Sequence, residues 1–321
     1  MVFKNSGLLS KTVVSFSFLL LFCLMVALAC SNQERPSESS QVNDTHSAPT
    51  LSEGVLYARS DTAELKLNIA VPADTASVYP LLIFIHGGGW QTGHRDAYNS
   101  QILDAAENGF AAATISHRYT RTPDESGDPL YRWPLPLQDV QAAIRFLRSH
   151  AASFHIDPDQ FGILGASSGA HLAMMAAFSE GLIDRTTAPL VPGDKGALTP
   201  TDVKAVANIS GPVDLVSAYD APVVTPFLDD LMAGDPETLP ELYQEASPVH
   251  HLSQDDPPLL SVHGELDDVV PLEQAYMIDR EIKKLGLVHE LVIFDDQGHI
   301  FEGQAASDSW KKIYEFFHRN L

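Results

Sequence analysis

The sequence predicts an α/β fold built on one doubly wound, mostly parallel sheet flanked by helices. Three observations predict it. Short continuous apolar runs recur along the chain, as strands buried on both faces require. Segments with apolar residues at helical spacing separate those runs. The residues with chemistry to offer fall on the turns that follow the runs, where doubly wound sheets carry their sites.

Taken in order, the chain opens with an address. Lys4 and Lys11 form a basic start, and residues 12–29 are apolar up to Ala27-Leu28-Ala29-Cys30. This is the layout of an export signal over 1–29. It resembles a bacterial lipoprotein signal, which implies cleavage before Cys30 and a diacylglycerol anchor on that thiol. Ala27 stands where such signals usually carry Leu. Ordinary cleavage to a soluble form, or an uncleaved anchor, are the alternatives. Ser31 after Cys30 resembles the outer-membrane sorting pattern. Residues 30–52 are rich in Ser, Gln, Asn, Glu and Pro and read as a disordered tether.

A single catalytic domain is expected over 53–321. Leu65, Leu67, Ile69 and Val71 alternate with polar or small residues, marking a half-buried strand. Buried strands follow at 81–85, 110–115, 161–164, 203–209, 259–262 and 291–294. Leu137, Val140, Ile144 and Leu147 share one helical face, as do Ile278, Ile282 and Leu285, and then Trp310, Ile313 and Phe317. Segments 180–201 and 220–243 break the rhythm and read as small cap insertions.

Composition removes several function classes. With Lys plus Arg at 20 and Asp plus Glu at 42, the net charge is −22, which disfavours nucleic acid. The two cysteines, Cys23 and Cys30, both precede the folded body, so it holds no disulfide and no thiolate metal site. His250-His251 lacks carboxylates at ligand spacing and reads as a surface loop. No metal and no cofactor is expected.

Gly165-Ala166-Ser167-Ser168-Gly169 follows the strand at 161–164 and opens a helix. A sharp strand-to-helix turn exposes a serine hydroxyl, and small neighbours tolerate its strained backbone. Ser167, central between the glycines, is the candidate nucleophile. His86-Gly87-Gly88-Gly89-Trp90 follows another strand and lets backbone N–H groups approach a ligand. Gly88, Gly89 and Ser168 are the expected oxyanion donors. A phosphate loop is the competing reading, but no Gly-Lys-Ser/Thr follows. His299, beside Gly298 after the last strand, is the expected base. Spacing alone leaves its acid open among Asp267, Asp268, Glu265 and Asp214. Trp90, Tyr131 and Trp133 would either line a cleft or pack the loops.

These motifs, with His263-Gly264-Glu265-Leu266-Asp267-Asp268-Val269-Val270-Pro271, resemble the α/β-hydrolase superfamily. More closely they resemble bacterial bifunctional feruloyl and acetylxylan esterases and their esterase/lipase relatives. Ser210-Gly211-Pro212-Val213-Asp214-Leu215 and Ala246-Ser247-Pro248-Val249 are also similar to that group. One departure is Ser168-Gly169-Ala170-His171, where relatives often have Ala-Gly-Gly-His. The resemblance implies an α/β-hydrolase fold and places the acid on Asp267, completing Ser167-Asp267-His299. It implies a serine esterase acting on short acyl, feruloyl or acetyl esters of carbohydrates. A general carboxylesterase or lipase is the alternative, then a serine peptidase or formamidase of the same fold.

Overall fold

Successive side chains of a strand point to opposite faces, and β3 (Tyr79–Ile85) shows how this divides the molecule. Leu81, Ile83 and Ile85 enter one apolar core, while Leu82 and Phe84 enter a second on the other side of the sheet. The computed structural model describes residues 48–60, 62–121, 130–179, 182, 189–193 and 199–321. The predicted signal at 1–29, Cys30 and most of the tether lie outside the described residues.

Eight strands form one sheet in the order β1-β2-β4-β3-β5-β6-β7-β8. They are β1 (Thr50–Arg59), β2 (Glu64–Val71), β3, β4 (Ala111–Ile115), β5 (Ile156–Ala166), β6 (Ala205–Ile209), β7 (Leu259–Gly264) and β8 (His289–Phe294). Pairing is antiparallel only where β2 meets β1 and β4. From β4 to β8 every pair is parallel. Seven of the strands match predicted segments. The eighth, β1, takes in residues 50–52 of the expected tether.

Helices cover both faces. α1 (Asn99–Glu107) and α8 (Gly303–Asn320) lie on the Leu82/Phe84 side, through Ile102, Ile313 and Phe317. α2 (Leu135–Ser149), α3 (Ser168–Phe178) and α7 (Glu273–Leu285) lie on the other, through Leu137, Ile144, Leu172 and Ile278. Each such aliphatic side chain contributes about 1.5–3 kcal/mol when removed from water. α3 is buried almost all round, so the helix that follows Ser167 sits at the centre of this layer.

After β6 the chain forms α4 (Leu215–Ala218), α5 (Thr225–Met232) and α6 (Pro240–Glu245) before rejoining the sheet at β7. Of these, α5 and most of α6 fall in the second predicted insertion, 220–243, and α4 precedes it. The first, 180–201, falls mostly outside the described residues; its Leu190 pairs with Arg59 at the end of β1. No helix among the described residues is long and apolar enough to cross a membrane.

The chain winds from β3 outward to β4, then returns to place β5 on the other flank of β3. The turns after β3 and β5 therefore diverge from one point on the sheet's carboxyl edge, the place where open α/β sheets bind ligands.

Candidate active site

Ser167 stands in that crevice. Its backbone has φ 55° and ψ −125°, a conformation that L-residues adopt only under constraint. The constraints are visible. Its N–H donates to Ile209 O at 2.8 Å, and its carbonyl accepts from Ala170 and His171 at 3.0 and 3.1 Å, starting α3. The glycine loop packs directly against it: a Cβ on Gly87 would lie 2.8 Å from Ala166 O and 3.2 Å from Ser167 Cβ. Only glycine permits this approach. The adjacent Ser168 side chain is buried and has no hydrogen-bond partner among the described residues, whereas Ser167 is half-buried. The reachable hydroxyl is that of Ser167.

Asp267, on the turn after β7, and His299, on the turn after β8, are brought together. His299 Nδ1 lies 2.7 Å from Asp267 Oδ2, with both side chains buried. Asp267 Oδ1 accepts from the N–H groups of Val269 and Val270 at 2.9 and 2.8 Å. Burial alone would raise the Asp267 carboxyl. The hydrogen bonds from His263 and His299, the His299 charge and the Val270 N–H overcome it and hold the group well below the usual carboxylate range. A carboxylate fixed in this way orients the imidazole it touches.

The alternatives that spacing left open are separated here. Asp214 caps α4 by accepting from Val216 N–H at 3.0 Å. Glu265 and Asp268 face solvent. One participant went unread in the sequence. His263 Nε2 lies 3.2 Å from Asp267 Oδ2 and 2.9 Å from Val270 O, so its N–H is shared between the carboxylate and that carbonyl. Its place at the end of β7, four residues before Asp267, was the available signal.

The glycine loop is braced on several sides. Thr120 N–H donates to Trp90 O at 2.9 Å. The Tyr119 hydroxyl donates to Gly93 O at 2.8 Å and lies 3.3 Å from His86 Nε2. His86 stacks on His117 at 4.7 Å. Burial, with the neighbouring imidazole, pushes His86 down to about 3, and burial pushes His117 to about 4. From the cap, Phe227 of α5 covers Gly89 so closely that a Cβ there would lie 2.3 Å from its Cδ1. Gln91 donates to Asp230 of the same helix at 2.7 Å. No described backbone or side-chain group accepts from the N–H of Gly88, Gly89 or Ser168.

The aromatic residues with two open readings pack the loops. Trp90, Tyr131 and Trp133 are buried, and Trp133 Nε1 donates to Glu245 at 3.1 Å. His251 bonds the Glu245 carbonyl at 2.6 Å. Among the described residues no group of three or more His, Cys, Asp or Glu is arranged to hold a metal ion.

Comparison with known proteins places this geometry. The BD-FAE family profile matches residues 67–282, a span that holds Ser167 and Asp267 and stops before His299. The probable carboxylic ester hydrolase LipM of Mycobacterium tuberculosis is 30% identical over 239 residues, covering 72% of this chain and 52% of LipM. The chain spans about half the length of the curated relatives it matches. A truncated carbohydrate esterase from gut microbiota superposes with a TM-score of 0.69 at 29% identity, over 88% of this chain and 99% of that one. A bifunctional GH43-CE protein of Bacteroides eggerthii superposes with a TM-score of 0.70 at 26% identity, over 84% of this chain and 38% of that one. The sheet order, the strained serine turn and the extent of the profile match agree: the chain belongs to the BD-FAE family of α/β-hydrolase esterases.

Proposed function

We propose that this protein is a serine carboxylic ester hydrolase that works through an acyl-enzyme on Ser167. His299 takes the Ser167 proton as the hydroxyl attacks the ester carbonyl. The oxyanion is met by the N–H groups of Gly88, Gly89 and Ser168, assisted by the positive end of α3. Asp267 holds the imidazole in register and balances its positive charge. His299 then protonates the leaving alcohol, and water, activated by the same imidazole, releases the acid. The observation that supports this most is the 2.7 Å contact between His299 and Asp267 on the turns after β7 and β8, at the same carboxyl edge of the parallel sheet as the strained serine.

The substrates are short acyl, acetyl or feruloyl esters of carbohydrates. One similar structure is named a carbohydrate esterase, which favours this over the general carboxylesterase reading that LipM supports. The enzyme is exported and held at the bacterial outer membrane by lipid on Cys30. That reading rests on the basic start, the apolar run and Ala29-Cys30.

The test is a panel of acetylated xylan, methyl ferulate, short aryl esters, a long-chain triglyceride and a formylated amine. Short esters should be cleaved, and a fluorophosphonate should label Ser167. Ser167→Ala should lose at least about 10³-fold in kcat; full activity in that variant would end the proposal. Radiolabelled palmitate should enter the wild type and not Cys30→Ala, and an unlabelled wild type would remove the anchor.

A further inference from the structure

His171 lies in the first turn of α3, four residues after Ser167, and is fully buried. Both of its ring nitrogens are used. Trp90 Nε1–H donates to His171 Nδ1 at 3.2 Å, so Nδ1 carries no proton. Nε2 therefore holds the proton and donates to Ala246 O at 2.7 Å. Burial keeps the ring neutral by lowering its pKa to about 4, against the pull of that carbonyl. The rings of Trp90 and Trp133 meet it edge-on at 5.2 and 5.7 Å.

Three separate parts of the chain converge on this one imidazole. Trp90 directly follows Gly89 in the glycine loop and has φ 58°, which a bulky side chain adopts only when held. His171 belongs to the helix that presents Ser167. Ala246 ends the cap excursion, where Ser247 Oγ accepts from Leu215 N–H at 2.9 Å and donates to Tyr243 O at 2.6 Å. We infer that His171 is a positioning residue: its Trp90–His171–Ala246 relay fixes the glycine loop at one distance from the serine helix and ties that distance to the cap. This rests on the esterase reading above insofar as the loop supplies oxyanion donors. Donors aimed at a developing charge act only when fixed before the reaction, so loosening them weakens the transition state more than the bound substrate.

The experiment compares wild type, His171→Phe, His171→Gln and Trp90→Phe. Phenylalanine keeps a ring without polar atoms, and glutamine keeps one acceptor and one donor. Trp90→Phe cuts one end of the relay and leaves the His171–Ala246 bond. In His171→Phe and Trp90→Phe, kcat on a short aryl ester should fall about 10- to 100-fold, with KM within about 2-fold. Affinity for a boronic acid transition-state analogue should weaken by the same factor as kcat. His171→Gln should recover most of both. Amide hydrogen exchange across 86–93 should quicken in both phenylalanine variants, a readout independent of activity. Unchanged exchange together with unchanged kcat in a folded His171→Phe or Trp90→Phe would overturn the inference. If the wild type neither cleaves esters nor takes the fluorophosphonate on Ser167, the esterase reading fails, and the exchange experiment still decides the relay.

Discussion

At the scale of single residues, burial and partners decide what sequence spacing leaves open. Four carboxylates compete on paper for the same imidazole, and only Asp267 meets His299 with its side chain out of water. Asp267→Asn would keep the shape but lose the charge that stabilises the imidazolium and sets its tautomer. Its kcat should fall about 10³- to 10⁴-fold with little change in KM, while the exposed Asp268→Asn stays within about 2-fold of wild type. Steady-state kinetics on one short ester checks both, and a reversed order would reassign the acid. Ser167 was legible because Gly-x-Ser-x-Gly states its backbone requirement in residue types. His263 was harder to read, because its four-residue spacing from Asp267 becomes a contact only when the turn after β7 folds the chain back, which composition does not reveal.

Among elements, legibility follows burial. Strands buried on both faces wrote themselves as apolar runs, and β3 through β7 fall where those runs are. β1 carries two register shifts against β2 and no clean alternation, so its pattern stays hidden until Val55. α1 buries only Ile102, Ala105 and Ala106, too small a stripe to stand out. The cap helices are short and held by polar tertiary bonds, such as Gln91 to Asp230, that no periodicity encodes. Their effect should be chemical. Phe227 covers Gly89, one of the expected oxyanion donors, so it limits the size of group that fits beside them. Phe227→Ala should raise kcat/KM for an octanoyl ester relative to an acetyl ester by about 10-fold or more, the worth of added apolar contact in a pocket. An unchanged ratio would show that the ring faces away from the acyl chain.

Across the whole molecule, the buried histidines set the response to acid. His86, His117 and His171 have folded values of about 3, 4 and 4, below the unfolded value near 6.5. Between those limits the unfolded chain binds more protons, so stability is lost as pH falls below about 6.5. Each contributes a slope of about 1.4 kcal/mol per pH unit. Asp139 opposes them: burial lifts it to about 6 against its hydrogen bonds and charge contact with Arg118, so it favours the fold as pH drops below that value. These four groups together give about 3 kcal/mol per pH unit near pH 5, and thermal unfolding should show a midpoint several degrees lower at pH 5.5 than at pH 7.5. An equal or higher midpoint in acid would mean the three rings charge without leaving the core. The same sheet order also carries a timetable. Ser167 and Asp267 hang from interior strands, but His299 hangs from β8, the edge strand and the last of the eight to be synthesised. A nascent chain can shape its nucleophile turn and still be inert. On the proposed mechanism, hydrolysis would have to wait until β8 pairs with β7 and brings His299 to Asp267.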